Sequence, residues 1–193
     1  KTIESCLIVH YLLMNRRIER VLIIVPDSLI YQWFVELLRK FNLSFNILDK
    51  AFFNSDESRK CDHNIFEDQQ LILTSMEAIF SGSAKSQDIL NSKWDFVIVD
   101  EVHHLEKDSQ EYEWLQKLTA ETQDVLLLTA TPEMLGYRTL FDLCHLLYPD
   151  IYFSFEKFVN DAEKYVEIAD IIDKIDAEKE LAASELSKLQ KKL

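Results

Sequence analysis

The chain has 193 residues, of which 48% are hydrophobic, so it is long enough to bury one sizeable core. Its formal net charge of −13 excludes a freestanding nucleic-acid-binding module, because affinity for phosphates comes from Lys and Arg side chains. With only 2 glycines and 3 prolines, the composition also excludes a largely disordered chain.

The three cysteines, Cys6, Cys61 and Cys144, are widely spaced and form no CxxC pattern, which indicates reduced thiols. No apolar run reaches the roughly 18 residues of a membrane span, and the N-terminal apolar stretch is interrupted by His10, unlike a signal peptide. We therefore expect a cytoplasmic protein that does not interact with membranes. Because the sequence begins with Lys1 rather than Met, we interpret it as part of a longer chain.

In chain order, a helical pattern covers residues 3–15, and the apolar, β-branched run at 21–25 predicts a strand buried on both faces. A helix is expected over 29–41, followed by a weaker strand at 44–48 near the edge of the sheet. Residues 49–68 are polar and irregular, and we interpret them as a surface loop.

The alternation of strand and helix patterns continues to residue 147. Strands are expected at 70–74, 96–99 and 125–128, and helices at 76–80, 87–91, 111–120 and 137–147. Beyond residue 150 the β pattern ends, and two helical patterns are followed by a tail rich in Ala, Glu, Leu and Lys. We therefore predict an α/β domain over 1–150, a largely parallel sheet with helices on both faces, and an α-helical extension over 151–193.

Four titratable residues follow the predicted strand at 96–99, namely Asp100, Glu101, His103 and His104. Because buried charge is costly without partners, these side chains are expected at the carboxyl end of the strand, where open α/β sheets bind ligands. Asp100 is a candidate ligand for Mg²⁺, and Glu101 is a candidate for orienting or deprotonating a water molecule. A solvated end of a strand is the alternative that this pair of acids alone leaves open.

Two further motifs are predicted at the same edge of the sheet. Lys1-Thr2 before a helix matches the end of a phosphate-binding loop, in which the Lys reaches the phosphates and the hydroxyl binds Mg²⁺. Thr129-Ala130-Thr131 follows the last strand, and His103 is close enough in the predicted fold to couple a nucleotide to it. The combination predicts phosphoryl transfer from ATP with Mg²⁺, although each motif alone has a structural explanation.

The order of KT, IIVPDSLIYQW, LILTS, VDEVHH and LLLTATP resembles the first RecA-like lobe of superfamily-two helicases and translocases, most closely their Swi/Snf branch. Within that branch, the segments around the second, fourth and fifth motifs resemble the RNA-polymerase-associated ATPases of bacteria. The resemblance covers most of residues 1–165. It implies a RecA-like sheet of the P-loop NTPase type, truncated here at its phosphate-binding loop.

The resemblance also assigns roles to individual residues. The residues that it implies for ATP and Mg²⁺ are Lys1, Thr2, Asp100, Thr129 and Thr131, with Thr2 and Asp100 as metal ligands. The catalytic residues that it implies are Glu101, Asp100 and His103, in a DEAH-type box that carries Val102 where Ala is usual. The residues that it implies for contact with the DNA backbone are Pro26, Ser28, Gln32, Thr74 and Ser75. For the neighbouring Trp33 we expect a place in the core.

By this resemblance, the full-length protein is an ATP-driven translocase on double-stranded DNA that remodels or recycles RNA polymerase core enzyme in the bacterial cytoplasm, close to the nucleoid. A second RecA-like lobe, which supplies arginines to the transition state in the family, is missing from this chain, so the fragment alone is expected to hydrolyse ATP negligibly. Two alternatives remain at this point. One is an acidic module that docks on RNA polymerase without catalysis, and the other is a lobe of another superfamily-two helicase.

Overall fold

The computed structural model describes residues 1–55, 63–81, 85–130 and 135–176. The chain divides into two compact units, Lys1–Leu135 and a second unit that begins at Gly136. The predicted domain boundary at residue 150 lies inside the second unit and stays a prediction. Within the described ranges, no helix combines the length and apolar character needed to cross a membrane.

The first unit is built on a five-stranded parallel sheet with the order β2-β3-β1-β4-β5. Its strands are β1 (Val21–Ile24), β2 (Asn46–Leu48), β3 (Leu71–Thr74), β4 (Phe96–Val99) and β5 (Asp124–Leu127). Ile24 is in register with Thr74 on one side and Val99 on the other, so the three central strands end at the same level. Every segment that leaves the sheet there begins at one common edge.

Helices connect the strands of the first unit, and two further helices lie in the second unit. In the first unit they are α1 (Thr2–Met14), α2 (Ile30–Phe41), α3 (Lys50–Asn54), α4 (Met76–Ile79), α5 (Lys85–Asn91) and α6 (Gln110–Glu121). The second unit contains α7 (Tyr137–Leu147) and α8 (Phe155–Asp176). Short 3₁₀ turns cover Asp27–Leu29 and Val102–His104.

Both faces of the sheet are buried. On one face, Ile23, Val25 and Ile98 join the apolar sides of α1 and α2 in a continuous hydrophobic core. Side chains alternate between faces along a strand, so Leu22 and Val97 lie on the opposite face, and they are equally inaccessible to solvent. This burial confirms the predicted α/β fold with helices on both faces, and it explains why the central strands are continuous apolar runs.

Polar residues fix where several helices begin and end. The side chains of Asp49, Ser75 and Ser109 each accept a hydrogen bond from a main-chain N–H in the first turn of α3, α4 and α6. Asn42 ends α2 in the left-handed conformation, with φ of 53°.

Three details differ from the expectations. Residues 49–68 contain the helix α3 instead of only a loop, because Asp49 caps it and Phe53 and Phe66 bury their rings. The strand β5 lies at the edge of the sheet, so its aliphatic residues are only half-buried. In the extension, a single 22-residue helix, α8, replaces the two helices expected between residues 153 and 175.

Candidate active site at the carboxyl edge of the sheet

Asp100 is the first residue after β4, and the structure holds its carboxylate rigidly. Its main-chain N–H donates to the carbonyl of Ile24 at 2.8 Å, which extends the pairing of β1 with β4 by one position. Its Oδ1 accepts the Glu101 N–H at 2.9 Å, and its Oδ2 accepts the indole N–H of Trp33 at 3.0 Å. Asp100 is only 8% exposed, so its charge depends on these partners.

The side chain of Lys1, at the beginning of the sequence, lies close to this carboxylate. Its Nζ lies 3.1 Å from Glu101 Oε1 and 3.9 Å from Asp100 Oδ1. Lys1 is also the N-cap of α1, and no side chain caps the free N–H groups of that helix. A mobile cation and the positive end of a 13-residue helix therefore lie beside two acids, an arrangement that suits an anionic phosphate with a divalent cation.

Glu101 has an unusual backbone conformation, with φ of 51° and ψ of 38°. A residue other than glycine in the left-handed region is strained, at a cost on the order of 1–3 kcal/mol, and such strain concentrates at functional sites. The kink directs the following 3₁₀ turn so that the Val102 N–H donates to the carbonyl of Leu128 at 3.0 Å. The segments that follow β4 and β5 are thereby joined.

His103 connects the acid pair with the end of β5. Its Nδ1 lies 3.1 Å from the Thr129 hydroxyl and 3.2 Å from Glu101 Oε2. The approach to Oε2 lacks the geometry of a hydrogen bond, and within the described residues this buried oxygen has no hydrogen-bond partner. The carboxylate of Glu101 therefore keeps one acceptor free for a proton or a water molecule.

Of the residues predicted for ATP and catalysis, the structure brings together Lys1, Asp100, Glu101, His103 and Thr129. Thr2 is adjacent, as the first residue of α1. Thr131 lies outside the described residues, so its role stays a prediction.

The residues predicted to contact nucleic acid fall into two groups. On the segment that joins β1 to α2, Ser28 is exposed and Pro26 is half-buried, and Gln32 is exposed in the first turn of α2. Thr74 and Ser75 are fully buried, and their hydroxyls are already used. Thr74 donates to the carbonyl of Leu48 at 2.6 Å, while the Ser75 hydroxyl binds Asp27 and caps α4. A role for these two in nucleic-acid binding stays a prediction, and it would have to be indirect.

A cavity of about 450 Å³ opens beside the acid pair, and Lys1 is not among its lining residues. It is lined by Pro26 and Met76 and by several acids, among them Asp100, Glu101 and Glu77, and by no Lys or Arg. Its acidic lining is unfavourable for phosphate. The Lys1 side of the acid pair is therefore the side that suits a nucleotide.

Sequence reasoning missed two side chains that hold the site. It placed Trp33 in the core, where Trp33 is indeed buried, but the hydrogen bond from its indole to Asp100 was not anticipated. The carboxylate of Asp27 binds Ser75 and, at 2.6 Å, Lys50, and neither contact was anticipated. The signal that could have revealed both was their place in the segment after β1, which enters the same edge of the sheet.

The residues present fit a nucleotide with Mg²⁺. Among the described residues, no group of three or more His, Cys, Asp or Glu could hold a metal on its own. Mg²⁺ characteristically takes one or two protein ligands together with phosphate oxygens, so Asp100, with the Thr2 hydroxyl as the predicted second ligand, would be a sufficient protein contribution.

Comparisons with known proteins show the family and the fold of the chain. A family model described as the SNF2-related domain matches residues 1–193. RNA polymerase-associated protein RapA from Yersinia enterocolitica is 40% identical over 176 residues, which are 89% of this chain and 18% of that protein. RapA from Yersinia pestis shows the same identity and coverage. The chain thus spans less than a fifth of the length of these relatives.

Two solved structures share the fold. The SWI2/SNF2 ATPase core of Sulfolobus solfataricus in complex with double-stranded DNA matches 82% of this chain and 31% of its own, with a TM-score of 0.64 and 20% identity. The ATPase core domain from the same organism matches 76% of this chain and 28% of its own, with a TM-score of 0.55 and 20% identity. At this identity the likeness concerns the fold alone.

Proposed function

Since the chain belongs to the SNF2-related family, we propose that it is the first RecA-like lobe of an ATP-hydrolysing motor of the helicase type. In the full-length protein this motor translocates on double-stranded DNA and acts on RNA polymerase. The observation that carries the proposal is the meeting of Lys1 Nζ with Asp100 and Glu101, at 3.9 Å and 3.1 Å, across about 100 positions of the sequence.

Each residue of the cluster has a part in ATP hydrolysis. Lys1 and the free N–H groups at the start of α1 bind the phosphates. Asp100 and Thr2 would hold Mg²⁺, which would supply positive charge to offset the charge that develops on the phosphates. Glu101 orients the attacking water, and its Oε2, which accepts no hydrogen bond within the described residues, is the atom that accepts the proton.

His103 and Thr129 couple chemical changes at the ATP site to the end of β5. The imidazole of His103 contacts both Glu101 and the Thr129 hydroxyl, so a change in the charge of Glu101 would alter the hydrogen bond to Thr129. Thr131, which is outside the described residues, belongs to the same proposed segment.

DNA binding is proposed for the segment between β1 and α2 together with the first turn of α2. Ser28 and Gln32 are exposed there and suit hydrogen bonds to phosphate oxygens, which carry no sequence information. Thr74 and Ser75 would contribute to this surface indirectly, since the Ser75 hydroxyl binds Asp27 on the same segment. The net charge of −13 implies that the rest of the protein supplies most of the cationic surface.

The proposed partner is RNA polymerase core enzyme, which the motor remodels or recycles in the bacterial cytoplasm, near the nucleoid. The support for this partner is the resemblance to the RapA proteins, whose name states that they are associated with RNA polymerase. The 193-residue chain alone is expected to hydrolyse ATP negligibly, because a second lobe must supply further positive charge to the transition state.

DNA-stimulated ATP hydrolysis by the full-length protein tests the proposal. Glu101→Gln removes the proton acceptor and keeps the shape, so kcat is expected to fall by roughly 10² to 10⁴ while ATP still binds. Glu113→Gln, an exposed acid in the first turn of α6, is the matched control and should leave kcat unchanged. An unchanged rate for Glu101→Gln, or no hydrolysis by the wild type, would contradict the proposal.

One observation favours a second function, docking on a protein without catalysis. The second unit exposes large apolar side chains, with Phe153 at 67% and Tyr165 at 73%, in a chain of net charge −13. A pull-down of RNA polymerase core enzyme by the 193-residue chain, without nucleotide or DNA, would support this function. Binding that requires the full-length protein and ATP would favour the motor.

A further inference from the structure

The chain has three tryptophans, and each of them donates its indole N–H inside the protein. Trp94 donates to the carbonyl of Ile89 at 3.0 Å, and Trp114 donates to the carbonyl of Ser86 at 2.7 Å. Trp33 donates at 3.0 Å to Oδ2 of Asp100, 67 positions away. Among the three, only Trp33 has a carboxylate of the candidate site as its acceptor.

This hydrogen bond fixes the orientation of the Asp100 carboxylate. Oδ2 is turned toward Trp33, and Oδ1 is turned toward the Glu101 N–H and Lys1. A carboxylate has about four acceptor positions, so these contacts leave room for one more ligand. The indole N–H of Trp33, which is the donor to Oδ2, determines which lone pair of the carboxylate faces that additional ligand.

The indole of Trp33 is itself rigid. Trp33 is 1% exposed and packs in the core that contains Ile23, Val25 and Ile98, on the strands β1 and β4 and the residue after β1. It cannot turn away from Asp100 without opening this core. A hydrogen bond from such a donor holds the carboxylate more firmly than a bond from a mobile surface side chain.

The other end of this connection is the surface proposed for DNA. Gln32, next to Trp33 in the sequence, is exposed, and Ser28 is exposed one turn earlier. Asp27 anchors the same segment through its bonds to Ser75 and Lys50. A displacement of the beginning of α2 would therefore be transmitted to Asp100 through one rigid side chain, that of Trp33.

We propose that Trp33 is a positioning residue that sets the orientation of Asp100 for the divalent cation, and that nucleic acid bound at Ser28 and Gln32 acts on Asp100 through it. This inference rests on the proposed function. It adds to it a specific route from the DNA surface to the metal ligand. Outer partners of metal ligands typically contribute about 10- to 100-fold to metal affinity or activity, so the effect is measurable.

The test compares full-length wild type, Trp33→Phe and Trp94→Phe. Trp33→Phe keeps an aromatic ring in the core and removes the donor, whereas Trp94→Phe makes the same change at a buried site whose acceptor is a carbonyl. Mn²⁺ binding is measured by electron paramagnetic resonance of the free ion, with a non-hydrolysable ATP analogue present. ATP hydrolysis is measured against Mg²⁺ concentration, with and without double-stranded DNA.

We expect Trp33→Phe to weaken Mn²⁺ binding roughly 10-fold or more and to require correspondingly more Mg²⁺ for hydrolysis. Its stimulation by DNA should fall even at saturating Mg²⁺, while Trp94→Phe behaves as wild type in all three measurements. Equal Mn²⁺ affinities for Trp33→Phe and Trp94→Phe would overturn the inference. So would full DNA stimulation of Trp33→Phe.

Two controls keep the outcomes distinct. If Trp33→Phe unfolds at a lower temperature than Trp94→Phe, replacing Trp33 with benzothienylalanine, which has the indole shape with sulfur in place of N–H, repeats the test without a change in packing. If the wild type shows no DNA-stimulated hydrolysis, the proposed function fails, and the Mn²⁺ measurement still decides whether Trp33 positions Asp100.

Discussion

The Nδ1 of His103 and the hydroxyl of Thr129 meet at 3.1 Å, although 26 residues separate them in the sequence. The contact exists because β4 and β5 are paired in register, so the 3₁₀ turn after one strand lies against the segment after the other. It joins the residue beside Glu101 to the end of the edge strand. The following predictions start from this contact.

Thr129→Val removes the hydroxyl and keeps the volume of the side chain. A single neutral hydrogen bond contributes about 0.5–1.5 kcal/mol, so kcat for DNA-stimulated hydrolysis should fall by roughly 2- to 10-fold, with the KM for ATP unchanged. Thr122→Val is the matched control, because its hydroxyl bonds to the carbonyl of Leu118 away from the site. A fall in kcat of the same size for both variants would show that the His103 contact has no special role.

Because Glu101 adopts the left-handed conformation, we predict that this residue lowers the free energy of unfolding. Glycine adopts φ of 51° without strain, so Glu101→Gly should be more stable to unfolding than Glu101→Ala by about 1 kcal/mol. Both variants lose the carboxylate and its contact with Lys1, so their difference isolates the backbone. Urea unfolding of the 193-residue chain measures it. Equal stabilities would mean that the residue relaxes out of this conformation.

The pair of Asp27 and Lys50 predicts a dependence of stability on pH. Burial opposes ionisation of Asp27, but hydrogen bonds from Lys50 and Ser75 outweigh it and hold its pKa below the ordinary value of 3.8. The hydrogen bond to Asp27 raises the pKa of Lys50 above its ordinary value of 10.5. The stabilisation is therefore complete between these two values and is lost below 3.8 and above 10.5.

Asp27→Asn tests this dependence by urea unfolding. The variant should be less stable than wild type near pH 7, and the difference should shrink as the pH falls below 3.8, because the unfolded chain then takes up the proton before the folded chain does. Glu121→Gln, at an exposed acid, should show no such difference at either pH. A difference between Asp27→Asn and wild type that stays constant with pH would contradict the assignment.

Cys6 is predicted to be an unreactive thiol. Burial, and then the negative charge of Glu36, raise its pKa to about 11, so the reactive thiolate is scarce near neutral pH. Iodoacetamide at about pH 8 should leave Cys6 unmodified in the folded chain and modify it in urea, as read by mass spectrometry of its peptide. Glu36→Gln should speed the reaction, because the second cause is removed. Rapid labelling of Cys6 in the native protein would show that this part of the core opens.

The parts of the fold that the sequence predicted are those set by local pattern. The apolar runs of β1, β3 and β4 and the acids directly after β4 appear where they were expected, because each depends on residues that are adjacent in the chain. The meeting of Lys1 with Glu101 was also expected, since strands of a parallel sheet share one edge.

What the sequence did not predict depends on contacts between distant residues. The composition of 49–68 suggested a loop, yet capping by Asp49 and burial of Phe66 decide otherwise. The sequence also did not reveal that the hydroxyls of Thr74 and Ser75 form hydrogen bonds inside the protein, so the predicted role of these residues in nucleic-acid binding stays a prediction. The direction in which a hydroxyl or an indole points follows from its neighbours in space, which a single sequence does not reveal.

The position of β5 at the edge of the sheet affects how the isolated chain behaves in solution. Its run of aliphatic residues is suited to burial but is half-exposed, and within the described residues its outer main-chain groups have no neighbouring strand. Such an edge is a template for pairing with another molecule, and the charge of the exposed Asp124 is the main obstacle to it. Concentrated samples of the 193-residue chain should therefore self-associate through β5, and Asp124→Asn should aggregate sooner than wild type.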